Sequence, residues 1–431
     1  MNTALAPIAP VVPLAALNVT LTSDQQAALD AFNLFLIDPL ETVFVLQGYS
    51  GCGKTTLVRT IIDRLPGFMK TARLIDPNRS NYTIELTATT NKAAENLAHI
   101  TGMPAKTIHS YLSLRVQNNF KEDTTTLIPR SNDIKEGVLL FVDEASYVDK
   151  QLLGYIFKFT NPKNCKIVFV GDSAQLTPVK ATTTPVFEAG FNGAKLTEVV
   201  RQVAGNPIVD LSTKFRHTVL SGNFFHFKPD GYHIQALDRS DFMQAIESEF
   251  GRPDWRYRDS KVLAWTNKTV IAYNHHIRNH VKGDPLFQVG DYAVCNSFIT
   301  VNRQSLKTDQ LVEITGIETG ITKHGIGGKN FQLDNTLTVF MPDSLADRNA
   351  RIKNARGKDD YTVIADIETS WIDLRAAFAC TVNKAQGSTF DEVFIDLDDI
   401  AKCNNGEQIA RMLYVAVSRA RHHVYLVGDL A

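Results

Sequence analysis

The nine residues Gly48-Tyr49-Ser50-Gly51-Cys52-Gly53-Lys54-Thr55-Thr56 constrain this chain more than any other stretch. A short apolar β-type run, Val43-Phe44-Val45-Leu46, leads in, and a helical pattern, Leu57-Val58-Arg59-Thr60-Ile61-Ile62, leads out. Strand, glycine-rich loop and helix in that order make a P-loop. The glycines let main-chain N–H groups converge on a phosphate, and the helix N-terminus adds partial positive charge. Lys54 is placed to reach the β- and γ-phosphates of a nucleoside triphosphate, and the Thr55 hydroxyl to ligate Mg²⁺.

Two later strand ends carry polar groups that suit hydrolysis. Leu139-Leu140-Phe141-Val142 runs into Asp143-Glu144. Hydrolysis needs one acid on Mg²⁺ and another to orient water, which suits Asp143 and Glu144 in that order. Val168-Phe169-Val170-Gly171 runs into Asp172-Ser173-Ala174-Gln175, whose amide could reach the γ-phosphate or the attacking water. Arg201 and Arg419 are the cation candidates, because a planar guanidinium from another element best meets transition-state charge. Taken alone, either arginine reads equally as a surface salt bridge. The Leu413, Val415, Val417 face reads as core.

Bulk numbers set outer bounds. With 431 residues the chain has room for two or three domains. Its 45 basic and 46 acidic residues give a net charge of −1, so any nucleic-acid footprint must be local. The five cysteines form no C-x-x-C pair, which argues against a zinc site or a disulfide framework. Met1–Ala16 lacks a basic leader and is broken by prolines, so it reads as a lead-in rather than a signal peptide. No apolar run approaches the ~20 residues of a membrane span.

Apolar strands alternating with helices predict a mostly parallel α/β sheet, twice over. In the first half a helix starts near Ser23, strands cover Tyr82–Thr87, Val138–Val142 and Ile167–Val170, and a helix covers Asn91–Ile100. Leu114–Ile134 is a polar excursion without core periodicity. In the second half Val262–Trp265, Ala376–Thr381, Val393–Leu397 and Val424–Val427 read as strands, with helices at Val270–His280 and Glu407–Val417. Between them Pro285–Ser370 is β-rich, with a charged helical stretch at Asp343–Lys358 and Trp371 as a core anchor just beyond.

Together these segments resemble superfamily 1 helicases of the RecD/Dda-like, 5′→3′ branch, from about Leu21 onward. Leu21-Thr22-Ser23-Asp24-Gln25 is similar to the family's adenine-reading segment, with Gln25 as reader. Gly48–Thr56, Asp143–Ser146, Gly171–Pro178, Val382–Ser388 and Tyr414–Arg421 are similar to motifs I, II, III, V and VI. Arg201 stands where the motif IV arginine stands. Asn383 replaces the usual histidine of motif V, and Ala88-Thr89-Thr90 the usual Ala-Pro-Thr of motif Ia.

The resemblance implies two tandem RecA-like P-loop domains: a tail over 1–20, a first domain over 21–195 with a pin-like insertion at about 114–134, a second over 196–284 and 371–431, and an SH3-like insertion over 285–370. It implies ATP with Mg²⁺, contacted by Gln25, Gly48, Ser50, Gly51, Cys52, Gly53, Lys54, Thr55, Thr56, Gln386 and Gly387. DNA would be met by Thr90, Asn91, Lys92, Thr107, His109, Asn267, Lys268, Lys384 and Ser388, with Phe120 as strand-separating wedge. Implied partners are single-stranded DNA, duplex junctions, and single-stranded-DNA-binding or replication proteins. Action as a monomer in a bacterial or phage-infected cytoplasm is also implied. The alternatives are a RecD-like subunit of a larger nuclease complex and a DNA-stimulated or switch-type P-loop ATPase that does not unwind.

Overall fold

The computed structural model describes residues 20–77, 81–119, 124–161, 164–177, 184–198, 205–283, 286–302 and 304–430. Arg201, Phe120 and most of the expected tail lie outside these residues. The chain divides into two compact units. Of the described residues, the first unit takes those up to Ser173 with 184–198; the second takes 174–177 and those from 205 on.

The first unit opens with α1 (Ser23–Ile37). Thr22 caps it and Gln25 returns the bond, a reciprocal capping box already written in the T-x-x-Q spacing. Then follow β1 (Val43–Gly48), α2 (Lys54–Ile75), β2 (Thr83–Ala88), α3 (Asn91–Thr101), β3 (Ala105–Thr107) and α4 (Ile108–Tyr111). The polar excursion forms an antiparallel hairpin, β4 (Leu114–Asn119) and β5 (Thr124–Pro129), in register Leu114 to Pro129. After it come β6 (Val138–Asp143), α5 (Lys150–Phe159), β7 (Lys166–Gly171), α6 (Pro185–Glu188) and β8 (Gly193–Leu196). The sheet order is β3-β2-β6-β7-β1-β8, parallel throughout. Both β6 and β7 are wholly buried, as continuous apolar runs between two helical layers should be. Since β8 pairs with β1, this sheet ends at Leu196, past the expected boundary at 195.

Lys166 opens β7 yet is buried, its ammonium donating to the carbonyls of Phe35, Asp38 and Glu41. It closes the C-terminal end of α1, whose last turn has no basic residue of its own.

The second unit runs α7 (Pro207–Ser221), β9 (Ile234–Leu237), α8 (Arg239–Gly251), β10 (Ser260–Ala264) and α9 (Asn267–His276). The helix expected over Val270–His280 changes to π geometry at Ile277–Val281. The β-rich part holds β11 (Tyr292–Cys295), the β12 (Ile299–Val301) and β13 (Gln304–Leu306) hairpin, β14 (Leu311–Lys323), β15 (Ile326–Leu333), β16 (Leu337–Pro342), α10 (Leu345–Arg356), α11 (Tyr361–Ser370) and β17 (Leu374–Ala376). The chain closes with β18 (Ala379–Thr381), α12 (Val382–Ala385), β19 (Phe390–Asp396), α13 (Leu397–Ile400), α14 (Gly406–Val417) and β20 (Ala420–Val427).

Its parallel sheet has the order β18-β10-β19-β20-β9. The β-rich part forms an antiparallel sheet, β16-β15-β14-β11-β17. Trp371 is buried, edge-on to Phe340 at 4.6 Å. The expected strand Ala376–Thr381 is in fact two: β17 joins the antiparallel sheet and β18 the parallel one. Lys261 Nζ donates to the Ala377 carbonyl, and Asn274 Oδ1 accepts the Phe378 and Ala379 N–H groups, which turns the chain between the sheets. The insertion therefore reaches Ala376, past its expected end at 370.

Candidate nucleotide and nucleic-acid sites

In an open parallel sheet, ligands meet the carboxyl ends of the strands. In the first unit that edge gathers the loop after β1, Thr90 after β2, Thr107 after β3, Asp143 ending β6 and Gly171 ending β7. Lys54 begins α2, and its ammonium donates to the carbonyls of Gly48 at 2.8 Å and Tyr49 at 2.9 Å. The lysine thus holds the loop on itself. Gly53 caps α2 with φ +79°, where an L side chain is strained.

Gln25 is 4% exposed and lies against this loop. Its Nε2 donates to the Cys52 carbonyl at 2.9 Å, and its Oε1 accepts the Thr22 N–H at 3.1 Å. The Cys52 thiol packs in the hydrophobic core and is pushed up by burial. Ser50, Gly51, Thr55 and Thr56 are half-buried around the helix start.

Asp143 is buried. Burial, then the neighbouring Glu144 charge, push its carboxyl up to about 7, while the Glu144 N–H and Lys54 pull the other way. Glu144 sits in left-handed backbone at φ 54° and ψ 45°, an uncommon state for a residue with a side chain. Thr89 Oγ1 donates to the Glu144 carbonyl at 3.1 Å and helps hold it. Gly171 makes room for this turn: a Cβ there would stand 3.0 Å from Ala145 N. Such backbone, held by its neighbours, makes Glu144 a candidate functional residue. Mg²⁺ takes oxygen ligands, commonly one or two carboxylates plus phosphate oxygens. The Thr55 hydroxyl and Asp143 carboxyl fit that donor set. Among the described residues no group of three or more His, Cys, Asp or Glu could hold a metal ion.

The second unit carries two polar groups at opposite ends of its sheet. At the amino end lie Gln386, Gly387 and Ser388, before β19, and Arg419, before β20. Gln175, whose segment packs in this unit, accepts at Oε1 from Gln386 Nε2 at 2.7 Å. Its carbonyl accepts from Arg411 at 2.6 Å, and Arg411 is held by Glu407 one turn back. The sequence reading missed Arg411. The signal was a lone charge inside the apolar run of α14. Arg419 is 3% exposed and donates to the carbonyls of Val415 and Ser388 and to Ser418 Oγ. Ser388, expected at the DNA, is 5% exposed and lies at this end, away from the other DNA candidates of its unit.

At the carboxyl end, both parallel sheets repeat one device. Each has an edge strand that ends in a threonine capping the next helix, and a neighbouring strand followed two residues on by another such threonine. Thr107 Oγ1 accepts from Ser110 N after β3, and Thr90 Oγ1 from Ala93 N after β2. Thr381 Oγ1 accepts from Lys384 N after β18, and Thr266 Oγ1 from Thr269 N after β10. Thr90 is exposed, as are Asn267, Lys268 and Lys384, while Asn91, Lys92 and His109 are half-buried. Burial holds His109 below its ordinary pKa, with Asp149 opposing. Lys384 pairs with Asp309 at 2.6 Å. Thr266 and Thr381 were missed, since a threonine before a helix is by itself an ordinary cap.

Known proteins match this arrangement. An AAA domain model matches residues 20–236, and a UvrD-like helicase C-terminal domain matches 376–427. The chain is 27% identical to the ATP-dependent DNA helicase dda of Enterobacteria phage T4, covering 92% of this chain and 98% of that protein. It is 22% identical to the RecBCD enzyme subunit RecD of Buchnera aphidicola, covering 89% of this chain and 69% of that one. A crystal structure of Pif1 helicase from Bacteroides in complex with ADP-AlF3 and ssDNA superposes with a TM-score of 0.52 at 17% identity, covering 96% of this chain and 94% of that one. That likeness gives the fold, two tandem RecA-like domains. The chain therefore belongs to the AAA-domain family and is a superfamily 1 helicase resembling dda.

Proposed function

We infer that the protein is an ATP-dependent DNA helicase. The observation that carries the reading is the threonine-capped strand pair repeated in both parallel sheets. A motor on a strand needs a backbone grip on each of two units, and one P-loop to drive them. In this reading Thr90, Asn91, Lys92, Thr107 and His109 grip from the first unit, and Asn267, Lys268 and Lys384 from the second.

Lys54 and the loop N–H groups bind the triphosphate, and Gln25 reads the base beside them. Glu144 orients the attacking water and takes its proton. Gln175 senses the γ-phosphate, and Arg201 and Arg419 supply positive charge against it. Thr55 and Asp143 would hold Mg²⁺, which neutralises phosphate charge when bound. Differential nucleotide affinity for two arrangements of the units would shift the population between them and so move the strand. Movement is 5′→3′, by a monomer, on single-stranded DNA and duplex junctions.

The match over 98% of dda favours a free-standing helicase over a RecD-like subunit. The test is unwinding of 5′-tailed and 3′-tailed duplexes by wild type and Lys54→Ala. Unwinding of the 5′-tailed duplex, lost in the variant, is expected. ATPase activity indifferent to DNA, with neither duplex opened, would refute it.

A further inference from the structure

Asp399, in α13 just beyond β19, is 1% exposed, and five donors converge on it. Its Oδ2 accepts the N–H groups of Trp265 at 2.9 Å and Thr266 at 2.7 Å. Its Oδ1 takes the hydroxyls of Thr266 at 2.9 Å and Thr269 at 2.7 Å, and Lys402 Nζ at 2.8 Å. A carboxylate is buried this completely only where donors meet it. Burial alone would raise its pKa; Lys402, the Thr266 N–H and the threonine hydroxyls outweigh that and hold it below 3.8.

Three of the five donors belong to the turn between β10 and α9, and a fourth, Thr269, to the first turn of α9. Thr266 has one hydroxyl proton, and Asp399 Oδ1 and Thr269 Oγ1 both lie within reach of it. The proton is thereby turned inward, and Thr266 Oγ1 keeps its lone pair for the Thr269 N–H at 3.3 Å. The next two residues outward, Asn267 and Lys268, are exposed. The neighbouring edge strand β18 supports its own cap at Thr381.

We infer that Asp399 is a positioning residue for the DNA contact at the start of α9: it fixes the Trp265-Thr266 turn so that Asn267 and Lys268 are presented in one geometry at the carboxyl end of the sheet. The inference rests on the reading above that this end meets the DNA backbone. It fixes a sign. Replacing Asp399 by Asn removes a negative charge beside a phosphate-binding surface, which by charge alone would tighten binding. Lost positioning weakens it.

The experiment uses the full chain and a fluorescein-labelled oligothymidylate. Asp399→Asn is expected to raise its Kd tenfold or more, and likewise the DNA concentration that half-saturates the ATPase, with the rate at saturating DNA kept within twofold. The slope of log Kd against log salt should shrink by about one, the value of one lost phosphate contact. Thr269→Val removes one donor and leaves the carboxylate; it should weaken binding two- to fivefold, and it carries the test if Asp399→Asn does not fold. An unchanged or tighter Kd overturns the inference, as does a lowered maximal rate at unchanged Kd, which marks a merely structural brace. The paired variant Asn267→Ala with Lys268→Ala separates the two readings. If it leaves Kd unaltered, the DNA reading of α9 fails and takes this inference with it. If it weakens binding and Asp399→Asn does not, only the Asp399 assignment fails.

Discussion

Gly53→Ala tests how Gln25, the proposed base reader, and the glycine-rich loop are joined. Gly53 caps α2 at φ +79°, and a Cβ there would stand 2.7 Å from Gln25 Nε2. Two costs follow. Left-handed backbone costs a side-chain-bearing residue ~1–2 kcal/mol. Displacing the Gln25 amide breaks its bond to the Cys52 carbonyl, which at 2.9 Å and buried is worth ~1 kcal/mol. The sum of ~2–3 kcal/mol is a loss of about 30- to 150-fold in affinity for a non-hydrolysable ATP analogue, read by fluorescence titration. In a Gln25→Ala background the amide is gone, and only the backbone cost remains, about 5- to 30-fold. The double-mutant cycle should thus return ~1 kcal/mol of coupling between positions 25 and 53. An equal effect of Gly53→Ala in both backgrounds would refute the linkage and leave Gln25 as a helix cap alone.

Lys166→Met should destabilise the first unit by ~2–4 kcal/mol, because it orphans buried carbonyls at the end of α1, and lower its melting by about 5–10 °C in calorimetry; a shift under 1 °C would contradict that. Arg411→Ala removes a charged donor from the Gln175 carbonyl, worth ~1.5–3 kcal/mol, so the DNA-stimulated ATPase should fall about tenfold or more with the KM for ATP changed less than threefold. Asp309→Asn frees Lys384 from an exposed partner worth ~0.2–1 kcal/mol, so single-stranded DNA should bind up to about fivefold tighter at low salt, an advantage that vanishes at high salt. Asp399 is held below 3.8, so its contribution to stability is fully present above the unfolded value and is lost as pH falls through the lower folded one. Denaturation of Asp399→Asn against wild type should accordingly show a gap at pH 7 that closes toward pH 2.

The first unit was legible because its special residues break local rules. Glycines, a lysine and paired carboxylates stand where apolar strands stop, and few structural reasons put them there. Asp399, Thr266 and Thr381 keep every local rule, since a threonine before a helix is ordinary; Arg411 breaks one, as a lone charge in an apolar helical run, but its i, i+4 pair with Glu407 gives it an ordinary local role. What distinguishes Arg411, Asp399 and Thr266 is a partner far along the chain. The turn that splits β17 from β18 was illegible for the same reason, since Lys261 and Asn274 set it from 116 and 104 residues away. Lys166 sits in a run whose apolar members predict the strand correctly, while its own three acceptors lie over 120 residues back. Tertiary partners of that kind leave no period in a sequence.

The second sheet's layout bears on how a strand-gripping end could answer a nucleotide-facing one. Thr381 is level with Ala264 at the carboxyl end, while Phe390 starts β19 before the pairing of Glu392 with Ser260. Arg419, whose carbonyl accepts the Phe390 N–H, therefore stands a strand's length from Thr266 and Thr381. Of the strands between, β10 is buried throughout and β19 and β20 toward their carboxyl ends, and they pair in parallel register there. Close-packed interiors transmit displacement rather than absorb it. In the proposed motor, a movement imposed on Arg419 would be delivered to both capped turns together, and α12 is the short link that joins Thr381 to Gln386 directly. Asp399 ties the remaining turn to the end of β19, so both capped turns ride on one sheet. A unit built this way needs no flexible relay, and the residues that matter most to its coupling are the ones that keep it stiff.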